Sequence, residues 1–336
     1  MTPEERIAVL EARLAAAEAR RGWRRQKRGS RRWSCGWPDI RWSRFLASRR
    51  GSRAFRRPDG RITRSDVLSG HYGARRFVTF PLGRLPRTRN PGVPHMSALM
   101  AGRTAPAVPV SVNWATGLPV DLGMLGNNTL GDCAEAGFGH ARQLWTFHAE
   151  GSPAAVTTAE TEQLYSAVTG YVPGQPGTDR GTVLQSLLAY LVTTGAPLQN
   201  GSREKLFAFV EIDPQRADHL NLATFEAGLV YIGFTVPAYL QSDFNPGTTW
   251  DVNPGADNAI VGGHCVISGG YRADGTREII SWGSTGYAMT PAFWNAHVDE
   301  AYALISRDWL ERTGRTFAGY TLGQLEQQMQ AVRQAA

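Results

Sequence analysis

Apolar residues recur at three- and four-residue steps after Cys133. Ala134, Phe138, Ala141 and Trp145 share one face with His148, while Arg142 and Gln143 fall elsewhere. That spacing predicts an amphipathic helix opening at the cysteine. Further helical patterns cover about 158–170, where Thr158 and Glu162 fit near a capped start, then 181–194 ahead of a Gly195 stop, and 214–228. Strand-like runs come next at 229–236, 264–271 and 277–282. Helices first and strands later predict an α+β domain in two lobes. No internal repeat is visible.

Ahead of that domain the pattern changes twice. Ile7, Leu10, Leu14 and Ala17 follow the 3-4-3 spacing of a coiled-coil seam within a helix that ends near Arg21. A solvated, Ala-rich helix docked on its own domain fits the same residues. From Phe77 to about Val108 the chain is rich in Pro, Arg and Gly, as in FPLGRLPRTRNPGVPH from Phe80, and so many prolines predict an extended strap over the surface of the main domain. The organisation expected is an N-terminal helix at 1–21, a basic arm at 22–76, a Pro-rich strap at 77–107, the main domain at 108–315 and a C-terminal helix at 316–336.

Charge sharpens the picture of the arm. The net +7 of the 336 residues hides an asymmetry: residues 20–57 hold fifteen Arg or Lys against Asp39, residues 1–19 carry −2, and the remainder −5. In the arm Arg24, Arg25, Arg28, Arg31 and Arg32 alternate with Trp23, Trp33 and other aromatics. Such residues can neutralise phosphates and stack on bases, so nucleic acid is one candidate partner. The same composition would serve an acidic protein surface, a flexible arm, or a homo-oligomer or virion assembly joined through residues 1–57.

A hydrophobic fraction of 42% with 10% aromatics is that of a globular protein. The longest uncharged run, Gly181 to Ser202, holds Gln185, Thr193, Thr194 and Asn200, too polar to span a membrane. The acidic, Ala-rich start is no secretory signal. These features predict a soluble chain made in the cytoplasm, with no membrane partner. Cys35, Cys133 and Cys265 lie far apart and form no CxxC pair, which argues against a disulfide framework or structural zinc. His140 and His148 share a helix without an evident third ligand, so neither metal nor cofactor is expected.

A lone cysteine with a distant histidine is instead a nucleophile pattern. Within LGNNTLGDCAEAGFGHARQLW, Cys133 follows Gly131 and Asp132 at a helix start, where oriented N–H groups favour thiolate and can bind an oxyanion. Taken alone, a small buried cysteine filling core space explains the segment as well. In VGGHCVISGGY, two glycines precede His264, and alternation puts His264 on one strand face with Cys265 and Ile267 on the other. An imidazole there can pair with a thiol on a facing helix. A core histidine bonded to a carbonyl is the plainer alternative.

The order of segments resembles the papain-like cysteine peptidases. VPVSVNWATGLPVDLGMLGNNTLGDCAEAG is similar to the approach to that family's active-site helix, and TDRGTVLQSLLAYLVTTGA to its Gly-led helix. GLVYIGFTVPAYL resembles the strand before the base, GGHCVISGGY the histidine strand, and IISWGSTGYAMTP the strand ending in Asn-Ser-Trp-Gly. More narrowly, the chain resembles papain-fold proteins of actinobacteria and their phages. The resemblance implies a helical lobe and an antiparallel β lobe, with Cys133 as nucleophile, His264 as base and Asn127, six positions before the cysteine, as oxyanion donor. It also implies a departure. Where the family's orienting Asn stands, this chain has Ile280, which accepts no hydrogen bond. Ser281, a carbonyl or a water would have to orient the imidazole, and Trp282 would shield it. Asp132 would raise the thiol pKa.

Three functions are expected on these grounds. One is a phage-encoded thiol hydrolase, peptidase or amidase, acting on a protein or peptide through a Cys-His dyad. Another is a minor virion protein that kept the fold with weakened catalysis, anchored to capsid, tail or DNA by the arm. In the third, residues 1–107 act as an inhibitory pro-segment.

Overall fold

The computed structural model describes residues 80–306 and Trp309, apart from Arg103 and Asp243. The N-terminal helix of 1–21, the arm of 22–76 with its arginines, and the C-terminal helix of 316–336 lie outside the described residues.

The helices pack on both faces of the sheet: Gly137 of the helix that opens at Cys133 meets Tyr231 and Cys265, and Phe293 of the last described helix meets Phe234 on the other face. α1 (Met96–Leu99) is a single turn within the strap. α2 (Cys133–Glu150) begins at the cysteine and stops at Gly151, whose φ of 79° is the left-handed conformation that ends helices. Its Ala134, Phe138, Ala141 and Trp145 face is buried as the spacing requires, and Trp145 Nε1 donates to the Ala227 carbonyl at 2.9 Å. α3 (Thr158–Thr169) is capped one residue earlier than expected. The Thr157 hydroxyl accepts from the Glu160 amide while Glu160 reaches back, a reciprocal pair that satisfies two free amides. α4 (Leu184–Thr193) starts later than its pattern, because Thr182 is extended and bonds to the strap. α5 (Ala217–Ala227) lies where the sequence put it.

After β1 (Val112–Asn113) and a small hairpin of β2 (Ala196–Pro197) and β3 (Arg203–Glu204), the remaining strands share one sheet. They are β4 (Leu206–Ile212), β5 (Val230–Pro237), β6 (Thr249–Trp250), β7 (Ile260–Tyr271), β8 (Arg277–Ser281), β9 (Ser284–Met289) and β10 (Val298–Ser306). Their order is β4-β10-β5-β7-β8-β9-β6, with β1 also on β7 and α6 (Pro291–His297) between β9 and β10. Pairing is antiparallel except for β6 with β9. The α+β class is as expected. β4 and β10 were not. LFAFVEI is buried at every position, so it lacks the alternation that marks a one-sided strand.

The strap also departs from expectation. Val93, Met96, Leu99 and Met100 are buried, Pro94 accepts from the Glu211 amide at 2.9 Å, and Arg87 pairs with the buried Glu211 carboxylate. Burying such side chains contributes roughly 1.5–3 kcal/mol each, enough to seat an otherwise polar segment against β4.

Candidate active site

Cys133 is the first residue of α2 and 1% exposed. The N–H groups of Cys265 and Gly83 point at its sulfur. Burial nevertheless pushes the thiol up to about 12, and Glu135 and Asp132 push the same way. Asp132 is fully buried, neither carboxylate oxygen has a well-aligned hydrogen bond, and desolvation raises it to about 8 against the weaker opposing pull of its own backbone N–H and the Asn127 amide. Glu135 is also raised by burial; its Oε1 accepts from the Thr182 hydroxyl at 2.9 Å. Asp179 closes the group by accepting from the Gly131 amide at 3.1 Å and the Tyr165 hydroxyl at 2.6 Å. The thiol therefore sits at a helix N-terminus whose favourable dipole is opposed by low dielectric and acid neighbours.

His264 lies on β7, 1% exposed, with a different environment. Its Nε2 is 2.9 Å from Ser281 Oγ, and Trp282 stacks on the ring at 4.3 Å between centroids and 10° between planes. Phe234 meets it edge-on at 5.7 Å. Burial pulls His264 down to about 3, and His140 acts in the same direction. Ile280 points into the core, so Ser281 occupies the place of the missing orienting side chain. Trp282 adopts a φ of 43°, uncommon for a large residue, and is held there by Phe244, Trp250 and Phe80.

Two expectations of the sequence are not realised in this conformation. His264 Nδ1 has no hydrogen-bond partner, so no Cys133–His264 hydrogen bond is formed. Asn127, 2% exposed, donates its amide to the Leu130 carbonyl at 3.1 Å and thus to its own turn. A buried amide must find an acceptor, and the Gly126–Leu130 turn supplies the nearest one. Asn128 is exposed.

The strap bridges the segments that carry Cys133 and His264. The Gly83 carbonyl accepts from the Thr182 amide at 2.7 Å, and the Leu85 amide donates to the Thr182 carbonyl at 3.0 Å. Across the gap the Arg84 amide donates to the carbonyl of Gly263, the residue before His264, at 3.0 Å. Phe80 packs on Trp282 with centroids 5.3 Å apart. Only glycine fits at position 83, since an added Cβ would overlap the Gly131 carbonyl. The surface strap predicted from its prolines is thus, at Gly83 and Arg84, buried between the two halves of the site. Composition could not reveal this, because the partners lie far along the chain.

A cysteine opening the long helix, a histidine on the central antiparallel strand, and a Ser-Trp pair where the strand beside it ends define a papain-like α+β fold. Consistent with that class, the chain is similar to xylellain, a cysteine protease from Xylella fastidiosa, with a TM-score of 0.52 at 15% identity over 68% of this chain and 97% of that one. Similarity extends to digestive procathepsin L 3 of Tenebrio molitor larval midgut, with a TM-score of 0.47 at 16% identity over 68% of this chain and 77% of that one. The cysteine protease and lectin-like domains of Cwp84, a surface layer associated protein of Clostridium difficile, give 0.48 at 12% identity over 72% and 58%. At such identities the likeness to xylellain establishes the fold. No protein-family model and no curated protein sequence matches the chain.

Among the described residues, no group of three or more His, Cys, Asp or Glu side chains is placed to hold a metal ion. His140 Nε2 is engaged by the Gly123 carbonyl at 3.0 Å and His148 Nε2 by the Trp114 carbonyl at 2.5 Å. No described helix is long and apolar enough to cross a membrane.

Proposed function

We propose that the chain is a papain-like thiol hydrolase, a peptidase or amidase, held latent by residues 80–85. The observation that carries this reading is the His264–Ser281 pair beneath Trp282. It supplies an oriented imidazole with one nitrogen left free, although the expected orienting residue is Ile280. A merely structural descendant has no use for a buried imidazole held at one nitrogen and unsatisfied at the other.

In the latent state both partners are neutral: the thiol is pushed up by burial and the imidazole pulled down. Departure of Gly83 admits water and substrate, which lowers the desolvation acting on each. Cys133 then attacks the carbonyl carbon and passes its proton to His264 Nδ1. The Cys133 N–H and the Asn127 amide, turned from Leu130, hold the oxyanion. His264 returns the proton to the leaving amine, and water hydrolyses the thioester with His264 again as base. The seated strap supports the pro-segment expectation, narrowed to residues 80–85.

One observation favours a second reading, a phage-encoded structural protein anchored by residues 1–57: the thiol stands near 12 and makes no hydrogen bond with His264. Iodoacetamide labelling of Cys133 across pH separates the two, using the full chain, Gly83→Val to displace the strap, and Gly83→Val with His264→Ala. Rapid labelling below pH 8 in the displaced chain, lost with His264, is expected of the hydrolase. An ordinary thiol titration with or without His264 sinks it and leaves the structural protein.

A further inference from the structure

Arg84 turns from the strap into the β half of the site, where its side chain is 3% exposed. Its Nη2 pairs with Asp299, and its Nε lies 3.5 Å from Glu300 Oε1, close enough for an ion pair but not aligned as a hydrogen bond. Consecutive residues of a regular strand point to opposite faces. Here the pairing of β10 with β5 shifts register between Val298 and Glu300. Asp299 is the extra residue of that bulge, a device that re-aims side chains, and both acids reach one guanidinium.

The space they face is built. Gly233 stands opposite Glu300 in the register. A Cβ there would fall 2.6 Å from Glu300 Oε1 and 2.9 Å from Arg84 Nε, so the guanidinium fills the room that an absent side chain leaves open. Glu300 is 1% exposed. It takes the Tyr302 hydroxyl on Oε2 at 2.8 Å, while Oε1 has no hydrogen bond of its own. A carboxylate buried this way is strongly unfavourable without a cation, and burial raises its pKa while Arg84 opposes the rise. The strap is clamped around Arg84 only through main-chain bonds to Gly263 and Thr182. Many sequences could make those two bonds, so at position 84 it is the side chain that carries identity, as the absence of one does at Gly83.

We infer that Gly233, Asp299 and Glu300 form a specificity pocket for a guanidinium side chain, making arginine-bearing peptides the substrate class of the Cys133 site. The substrate class rests on the hydrolase reading; the pocket does not. Arg84 is then a resident occupant that an arginine of the substrate replaces, which couples latency to recognition.

The test has two arms, both in the full chain. In Arg84→Ala the pocket is empty whether or not the strap stays seated. Ethylguanidinium is expected to raise its thermal midpoint in a saturable way, ethylurea is not, and the response disappears when Glu300→Gln is added. Should that variant not fold, Asp299→Asn, at a 43% exposed side chain, is expected to weaken the response. In Gly83→Val with Arg84→Ala, a peptidyl coumarin amide series with arginine is expected to exceed its norleucine counterpart by about tenfold or more in kcat/KM, the size of a charge-assisted pair. Equal responses to ethylguanidinium and ethylurea overturn the pocket, and equal, measurable turnover of the two series overturns the arginine substrate class. Rescue by ethylguanidinium without turnover of either series confirms the pocket and overturns the hydrolase reading beneath the substrate class.

Discussion

The two halves of the site both suppress charge by burial, but in contrasting surroundings. On the helical side, Cys133 lies among carboxylates: Asp132, Glu135 and Asp179 crowd the first turn of α2, and the thiol is kept protonated by burial and by its acid neighbours. On the sheet side, His264 lies among aromatics, with Trp282 on its face and Phe234 at its edge, and burial keeps the imidazole neutral. The Gly83 amide points at the Cys133 sulfur, and the next residue, Arg84, bonds to Gly263 beside His264. One half holds buried acids that desolvation keeps protonated and the other is aromatic, and the Gly83 amide points at the thiol, so removing the strap changes the thiol more than the imidazole.

Breaking the contact between the halves is expected to have the largest effect. Gly83→Val forces the strap from Gly131 and exposes the thiol; Cys133 alkylation at neutral pH should then rise about a hundredfold, read by mass spectrometry. An unchanged rate would mean that α2 and β7 bury the sulfur without help from the strap.

On the sheet side, Trp282→Ala removes the plane over His264 and leaves a cavity among Phe244, Trp250 and Tyr287. A loss of about 3–5 kcal/mol in urea unfolding is expected. The His264 pKa should also rise toward 6.5, visible in an NMR titration. A stable protein with His264 still near 3 would show that Phe234 and the core alone exclude water.

On the helical side, Asp132→Asn tests the acid crowding. The folded protein holds the Asp132 proton up to about pH 8, while the unfolded chain releases it near 3.8. Its contribution is therefore present at acid pH and lost as pH rises from about 4 through 8. The Asn variant should flatten that decline and gain on the order of 2 kcal/mol at about pH 9 relative to wild type. Parallel stability-pH curves for the two proteins would exclude a buried proton at this position. His264 acts in the reverse sense: its folded value of about 3 gives stability above 6.5 that is lost as pH falls toward 3.

The smallest effect is expected at Ser281. Ser281→Ala leaves the buried Nε2 without its partner, at about 1–2 kcal/mol. The imidazole nitrogen shifts should broaden between tautomers in the displaced-strap chain. A single sharp tautomer would assign the orientation to Trp282 stacking alone.

Much of this frame was legible in the sequence because it depends on local periodicity. The apolar spacing after Cys133 fixes α2 and its buried face, and alternation around His264 fixes β7, since both are set by backbone geometry within a few residues. Ser281 could be named as a substitute for the missing Asn, yet choosing it over a carbonyl or water required the 2.9 Å approach across two strands. β4 and β10 were missed because burial on both faces erases the pattern that announces a strand. The course of the strap and the arginine pocket were decided by tertiary structure alone. Gly83 meets Gly131 and Thr182, and Arg84 meets Gly263, only after both halves have folded. Asp299 shares a guanidinium with Glu300 only because β10 bulges opposite a glycine of β5. Sequence sets what each segment can bury; which distant segments meet depends on the packing that satisfies all of them at once.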